Sequence, residues 1–164
     1  MRKALAALLI LAAAPGAAQE RLLAAPPPGW TVAAVSPDPE GGSLAVLLPE
    51  GPEERGRLIV RSLDRDEGAA AYLDGLAARL SAACPAATVL PFGGASGSLH
   101  LTTCDDPAAV TLSRAIRGER LHVLSRIWDA PPAEGEVRAW TRWMEGARVC
   151  GGPRSLPCPE RIGD

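Results

Sequence analysis

The segment from residue 108 to residue 128, AAVTLSRAIRGERLHVLSRIW, carries the clearest structural pattern in the chain. Apolar and polar side chains alternate on either side of Gly118-Glu119, and such alternation is typical of β-strands. The pattern predicts strands at 108–117 and 120–128 that pair as a β-hairpin, because a tight turn of small or polar residues joins the two segments. The rest of the predicted sheet is assembled around this hairpin.

A two-residue turn would fix which residues of the two strands face each other. It would pair Arg117 with Arg120 and Ala115 with His122. The core face would then carry Val110, Leu112, Ile116, Leu121, Val123 and Ile127. The opposite, mixed face would carry Thr111, Ser113, Ala115, His122, Leu124 and Arg126.

Further strand patterns precede the hairpin, and two segments have helical spacing. The strand-like segments are 30–35, 43–48, 57–62, 87–90 and 98–103. One helical stripe consists of Ala69, Leu73, Leu76, Leu80 and Cys84. The other, in a helix of about residues 133–147, consists of Val137, Trp140 and Met144. Strands interrupted by helices indicate an α+β fold, here an antiparallel sheet of about six or seven strands flanked by two main helices.

The order of these elements, together with the segment 114–120 (Arg-Ala-Ile-Arg-Gly-Glu-Arg), resembles the Mog1/PsbP-like family. The resemblance covers the stretch from Trp30 to Ala147. It implies a central antiparallel sheet flanked by helices. Members of that family are mostly non-enzymatic binding or assembly proteins, so the resemblance also implies a non-enzymatic role. It carries over no site residues.

Residues 1–18, MRKALAALLILAAAPGAA, have the three parts of a secretory signal peptide: a positive start, an apolar run and small residues before a cleavage site. The apolar run is shorter than the roughly 20 residues of a membrane-spanning helix. We therefore expect cleavage after Ala18 and a periplasmic or secreted protein with no transmembrane segment. The remaining chain would comprise a Pro-rich lead-in at 19–29, a single α+β domain at 30–148 and a C-terminal tail at 149–164.

The charge of the chain argues against one large class of functions. The sequence holds 17 Lys+Arg and 19 Asp+Glu, a formal net charge of −2, and 47% of its residues are hydrophobic. Removal of residues 1–18 takes away two basic residues and leaves a net charge of −4. Nucleic-acid-binding domains present clustered basic surface, so we expect no nucleic-acid partner.

The four cysteines, Cys84, Cys104, Cys150 and Cys158, are expected to form disulfides, because exported proteins meet an oxidising compartment. Four cysteines allow three pairings. We favour Cys84–Cys104 and Cys150–Cys158, since each pair is local in the sequence and the second would staple the tail. The spacing contains no Cys-x-x-Cys pair and does not match a zinc site, so no metal or other cofactor is expected.

Two histidines and two arginines of the predicted sheet are candidate ligand-binding residues. His100 and His122 lie on predicted non-core faces, where they could approach each other and Arg126 to form a small polar site for an anion or a metal; alternatively, both face solvent. Arg114 falls on the predicted apolar face, where a guanidinium would need a partner. It could bind an anion, but we favour a strand end or a bulge that turns it outward.

Three tryptophans, Trp128, Trp140 and Trp143, lie close together in the sequence, and at least two of them are expected in the core. Trp and Arg are frequent interface anchors, so one hypothesis is that the third, Trp143, forms a partner surface with Arg138 or Arg142; the alternative is that it too belongs to the core between sheet and helix.

No residue pattern points to a catalytic group, and the sequence favours a non-enzymatic exported domain that binds a protein or a small ligand in the cell envelope. The alternative is a small periplasmic hydrolase, or a ligand- or metal-binding protein, that uses His100 and His122.

Overall fold

The computed structural model describes residues 20–51, 55–84, 86–94, 97–105, 108–152 and 157–158. Its strands are β1 (Arg21–Leu23), β2 (Trp30–Pro37), β3 (Ser43–Pro49), β4 (Arg57–Leu63), β5 (Thr88–Gly94), β6 (Gly97–Asp105), β7 (Ala108–Arg117), β8 (Leu121–Trp128) and β9 (Arg148–Cys150). Its helices are α1 (Ala69–Ala83) and α2 (Glu134–Gly146). The expected signal peptide, residues 1–18, lies outside the described residues.

Most predicted elements are present with similar bounds. Two short strands, β1 and β9, were not predicted, and β5 continues to Gly94, four residues beyond the predicted segment 87–90. In the described part of the chain, no helix is long and apolar enough to cross a membrane.

Strands β2 to β8 form one seven-stranded antiparallel sheet in the order β2-β3-β4-β8-β7-β6-β5. The chain reaches the centre of the sheet with β4, crosses through α1 to the far edge, and returns strand by strand until β8 pairs with β4. The predicted α+β class is therefore confirmed. This order also places the β7–β8 hairpin in the interior of the sheet.

The two helices pack on opposite faces of the sheet. Leu112 in β7 belongs to a core cluster with Met144 of α2, whereas Ala115 packs in a second cluster with Leu73 of α1. Ala115 lies three positions after Leu112, and side chains an odd number of positions apart on a strand point to opposite faces. We call these faces the α2 side and the α1 side. Because both faces of the hairpin are covered, the predicted division into one core face and one mixed face is wrong.

The turn between β7 and β8 is one residue longer than predicted. Arg117 pairs with Leu121 and Ile116 pairs with His122, so residues 118–120 connect the strands. On the α2 side the hairpin carries Val110, Leu112, Arg114, Ile116, His122, Leu124, Arg126 and Trp128. On the α1 side it carries Thr111, Ser113, Ala115, Leu121, Val123, Ser125 and Ile127.

The side chain of Glu20 explains this longer turn. Its carboxylate accepts hydrogen bonds from the backbone N–H groups of Glu119 and Arg120, the latter at 2.9 Å. A Cβ at Gly118 would lie 2.2 Å from Oε2 of Glu20, so a larger residue at this position would force the carboxylate to move.

The lead-in and the tail, which have no periodic pattern in the sequence, meet in a small sheet. Strand β1 pairs with β9, and Arg21 faces Cys150. Disulfides join Cys150 to Cys158 and Cys84 to Cys104, so both favoured pairings are confirmed. The second of these bonds ties the end of α1 to β6.

Candidate functional site

All four tryptophans of the chain, Trp30, Trp128, Trp140 and Trp143, lie together on the α2 side, and we call them the tryptophan cluster. The ring of Trp140 is central: its centroid lies 5.2 Å from that of Trp30, 6.5 Å from that of Trp128 and 5.4 Å from that of Trp143. The rings meet edge to face, which is a favourable geometry for their quadrupoles. Trp128 and Trp140 are buried, as expected for at least two of the three late tryptophans.

The cluster encloses a cation that the chain itself supplies. The guanidinium of Arg126 lies 4.7 Å from the ring centroids of Trp30 and Trp128 and 5.1 Å from that of Trp140. The side chain is 0% exposed. Such cation–π contacts contribute about 2 kcal/mol or more where the cation is desolvated.

Polar partners complete the environment of Arg126. Its Nη1 donates to the carbonyl oxygen of Ile127 at 2.7 Å, and its Nη2 donates to that of Arg55 at 2.8 Å. The carboxylate of Glu136 lies 3.5 Å from Nη2 and also accepts a hydrogen bond from the indole of Trp128. Arg126, predicted as a ligand-binding residue, is therefore enclosed by protein groups and holds the tryptophan cluster together.

Two grooves open beside the tryptophan cluster. The first, of about 260 Å³, we call the Trp143 groove; it is lined by Pro27, Pro28, Trp30, Ala139, Trp140 and Trp143. The second, of about 380 Å³, is lined by Arg55, Trp128, Asp129, Ala130, Pro131, Pro132 and Glu136. A third groove, of about 150 Å³, lies on the α1 side between α1 and the sheet.

The three residues of the predicted partner surface lie on α2, beside or within the Trp143 groove. Trp143 lines the groove, and its indole N–H donates to the carbonyl oxygen of Ala25 at 3.1 Å. Arg138 forms an exposed ion pair with Glu134 at 2.5 Å, while Arg142 is exposed near the groove.

His122 links the start of the described chain to the sheet. Its Nδ1 lies 2.9 Å from Oγ of Ser62, and its Nε2 lies 2.9 Å from Oε1 of Glu20. Burial alone would raise the pKa of Glu20, but the hydrogen bonds from the backbone of Arg120 and Glu119 and from His122 outweigh it and lower that pKa. Glu20 is therefore a firmly ionised, buried anchor for the lead-in.

The order serine–histidine–carboxylate is also that of a catalytic triad. None of the three grooves described above is lined by Ser62, His122 or Glu20. The carboxylate of Glu20 closes the β7–β8 turn and ties the lead-in to His122 with the same oxygens.

His100 lies on the other face of the sheet. It pairs with Ser113, which belongs to the α1 side, and its Nε2 is 3.7 Å from Oδ1 of Asp74 in α1. The hypothesis that His100 and His122 form one site is therefore wrong. The expectation of solvent-facing histidines is also wrong, because both side chains are buried beneath elements that cover the sheet. Among the described residues, no group of three or more His, Cys, Asp or Glu side chains could hold a metal ion.

Arg114 is buried, not turned outward as expected. Its Nη1 donates to the carbonyl oxygens of Met144 and Ala147, the second at 3.0 Å. These carbonyls belong to the end of α2, where helical backbone acceptors lack intrahelical donors and a cation is favoured. Burial lowers the pKa of Arg114, while Glu145 opposes that shift. Arg114 therefore anchors the end of α2. It sits in regular register opposite Leu124, so neither a strand end nor a bulge turns it outward.

Sequence reasoning did not find the lead-in residues that build the site. The three consecutive prolines just before Gly29-Trp30 were a usable signal, because proline-rich segments dock on aromatic surfaces. Glu20 had no such signal, since its partner His122 is about a hundred residues away. No protein-family model matches this chain, and no curated protein and no solved structure is similar to it at a significant level.

Proposed function

We propose that this chain is an exported, non-enzymatic domain that binds a protein or a small ligand in the cell envelope, and that the Trp143 groove is its binding surface. Export is supported by the signal-peptide pattern of residues 1–18 and by the two disulfides, which are favoured in oxidising compartments. The resemblance to the Mog1/PsbP-like family favours the same non-enzymatic role.

One observation supports this surface above the others: the Trp143 groove keeps apolar aromatic surface open to solvent. Its lining includes the buried Trp30 and Trp140 together with the less buried Trp143 and the exposed Ala139. No charged side chain lines it. Partly open grooves with aromatic walls are typical of binding sites, because aromatic side chains contribute much of the affinity of an interface.

The alternative function, a hydrolase or a metal-binding protein built on His100 and His122, has weaker support. The two imidazoles lie on opposite faces of the sheet and near separate carboxylates: His100 lies 3.7 Å from Asp74, and His122 lies 2.9 Å from Glu20. A reaction that uses both imidazoles on one substrate would need them on the same face of the sheet.

The binding surface can be tested by comparing three forms of the disulfide-bonded protein that begins at Gln19. Wild type, Trp143→Ala and Leu90→Ala are immobilised and exposed to the same envelope fraction, and bound species are identified by mass spectrometry. Leu90 is the matched control, because it is 49% exposed on β5, at the opposite edge of the sheet from Trp30. We expect a species that wild type and Leu90→Ala retain and that Trp143→Ala loses. Equal retention by all three would contradict this surface.

Export has a separate test. The full chain is produced with residues 1–18 in a bacterial host, and the protein in the periplasmic fraction is sequenced from its N-terminus. We expect the sequence to begin at Gln19. Protein that remains in the cytoplasm with Met1 in place would contradict export.

A further inference from the structure

The size and lining of the Trp143 groove restrict what it can bind. Its volume of about 260 Å³ is below the roughly 300–1,000 Å³ of pockets that enclose a small molecule. It is also open to solvent, and its lining combines Pro27 and Pro28 of the lead-in with Trp143 of α2. A shallow, uncharged groove of this kind suits a few apolar side chains of an extended peptide better than an enclosed ligand.

The chain's own lead-in shows which kind of peptide the indoles accept. The segment Ala25-Pro26-Pro27-Pro28 is restricted to extended conformations, because a proline constrains both itself and the residue before it. Trp143 donates its indole N–H to the carbonyl oxygen of Ala25, and Pro27 and Pro28 line the same groove as three of the indoles. Aromatic grooves bind polyproline II segments through two kinds of contact. Proline rings pack on the aromatic surface, and an indole N–H donates to a backbone carbonyl of the segment.

The lead-in does not fill the groove. Pro27 and Pro28 form one of its walls, so the space between them and the indoles stays open. A polyproline II segment would fit this space at low entropic cost, because it is already extended before it binds.

The charge at the rim indicates what flanks such a segment. Arg142 is exposed on α2, one turn from Ala139 and next to Trp143. In the part of the chain that the structure describes, no carboxylate forms an ion pair with it. Arg138, in contrast, is paired with Glu134. A carboxylate beside the bound prolines would therefore meet a complementary charge at Arg142.

We propose that the Trp143 groove binds a proline-rich segment of another envelope protein, in polyproline II conformation, with an acidic residue beside the prolines that pairs with Arg142. The segment lies alongside the lead-in, with Pro27 and Pro28 as one wall and Trp140 and Trp143 as the other. This inference rests on the proposed function, because it names the partner class for the same groove.

The test uses the disulfide-bonded protein that begins at Gln19, with its tryptophans labelled with ¹⁵N. Its four indole N–H groups give one signal each, and single Trp→Phe variants assign them. The probes are octaproline with a glutamate at each end, the same peptide with lysine at each end, and a glutamate-flanked Ala-Ser peptide of equal length. We expect the glutamate-flanked octaproline to shift the Trp143 and Trp140 signals saturably and the Ala-Ser peptide to leave them in place.

Variants locate the contact. Ala139→Glu places a charged side chain in the groove from an exposed helix position, and we expect it to weaken binding of the glutamate-flanked octaproline at least about tenfold, the effect of losing an interface anchor. Trp143→Ala should do the same, read from the Trp140 signal. Leu90→Ala should leave the affinity within about twofold. Arg142→Gln should remove a preference of about threefold for the glutamate-flanked over the lysine-flanked peptide at low salt.

Several results would overturn the inference. Equal responses to octaproline and to the Ala-Ser peptide, or no response to either, would exclude a proline-specific groove. In that case, an envelope protein that wild type captures and Trp143→Ala loses would still support the proposed function, but with a partner that is not proline-rich. Signal shifts that depend on protein concentration without peptide would indicate a second copy of this chain as the occupant. Tighter peptide binding by Pro27→Ala/Pro28→Ala would show that the lead-in competes for the site and would overturn the arrangement alongside it.

Discussion

On the α2 side of the sheet the buried surface is aromatic and encloses a guanidinium, whereas on the α1 side it is aliphatic and interrupted by hydroxyl groups. Below α1, the Oγ atoms of Ser113 and Ser125 lie 2.9 Å apart in the interior, and His100 and Thr102 are also buried. On the α2 side, the tryptophan cluster occupies the interior between helix and sheet. The small hydroxyl-bearing side chains of the α1 side remove less apolar surface from water than indole rings do.

The α1 side makes up this difference with covalent and ionic connections. The Cys84–Cys104 disulfide ties the end of α1 to β6. Near the start of α1, Arg61 donates to Asp38 at 2.6 Å and to the hydroxyl oxygen of Tyr72 at 2.6 Å. The hydrogen bond from Arg61 lowers the pKa of Asp38, although burial of the carboxyl opposes the shift. The comparison teaches that the α2 side is held by an aromatic core around hydrogen-bonded arginines, whereas the α1 side adds a disulfide and a network of ion pairs to a smaller core.

The largest effect is expected from removal of the enclosed cation. Arg126→Ala would leave a cavity between three indoles and would remove the donors to Ile127 and Arg55, so we expect the free energy of unfolding to fall by about 3–5 kcal/mol. Urea unfolding followed by far-ultraviolet circular dichroism measures this loss. Arg126→Met, which keeps apolar volume, should cost clearly less. A loss below about 1 kcal/mol for Arg126→Ala would contradict the central role of this residue on the α2 side.

The next effect concerns the covalent connection of the α1 side. Replacement of Cys84 and Cys104 by alanine opens a loop with a sequence separation of 20 and should lower the free energy of unfolding by about 3 kcal/mol. The same replacement of Cys150 and Cys158, separated by 8 residues, is the control and should cost about 2.5 kcal/mol or less. Urea unfolding of both double variants decides the order. A larger loss for the Cys150–Cys158 pair would contradict the dependence of the α1 side on its disulfide.

A smaller and pH-dependent effect is expected at Glu20. Glu20→Gln removes the charge from three hydrogen bonds and should cost about 2 kcal/mol at pH 7. Because the pKa of Glu20 is lower in the folded protein than its ordinary value of 4.5, its stabilisation is present above that value and is lost as the pH falls through the folded pKa.

The variant should therefore lose less stability on acidification than wild type. The measurement is the free energy of unfolding as a function of pH for both proteins. Asp38 and Glu40, whose pKa values are also lowered by Arg61, contribute the same trend in both and cancel in the difference. Parallel pH profiles would contradict the role of Glu20.

The smallest effect is expected at the rim of the tryptophan cluster. Trp143→Ala removes one edge-to-face contact with Trp140 and the hydrogen bond to Ala25, and should lower the free energy of unfolding by about 1–2 kcal/mol. Trp140→Ala, in the buried centre, should cost about 3–5 kcal/mol. If the two variants cost the same, Trp143 belongs to the packed interior and is not a binding surface.

The sequence predicted the elements of the fold better than the contacts between them. Strand β7 has the predicted bounds, 108–117, because its alternation is long and regular. The turn that follows was predicted one residue too short, since its length depends on a carboxylate from residue 20 that no local pattern reveals. Both histidines were assigned to open faces because period-2 logic assumes that one face of the sheet is bare, and here helices and the lead-in cover both.

The candidate site was predicted in part. Trp143 was singled out from the sequence, and it packs partly buried against the α2-side core, but Trp30, Pro27 and Pro28 lie more than a hundred residues earlier in the chain and reach it only through the sheet. Strands β1 and β9 are too short for any periodic signal.

The segregation of the aromatic side chains has an optical consequence. All four indoles lie within one cluster on the α2 side, and the single tyrosine of the chain, Tyr72, lies on the α1 side. Indole absorbs at longer wavelengths than phenol, and edge-to-face indoles at such short separations couple their transition dipoles. Near-ultraviolet dichroism at the red edge therefore reports on one face alone, and ultraviolet resonance Raman lines of the tyrosine report on the other. The wild-type chain thus carries a native spectroscopic label for each layer of its fold.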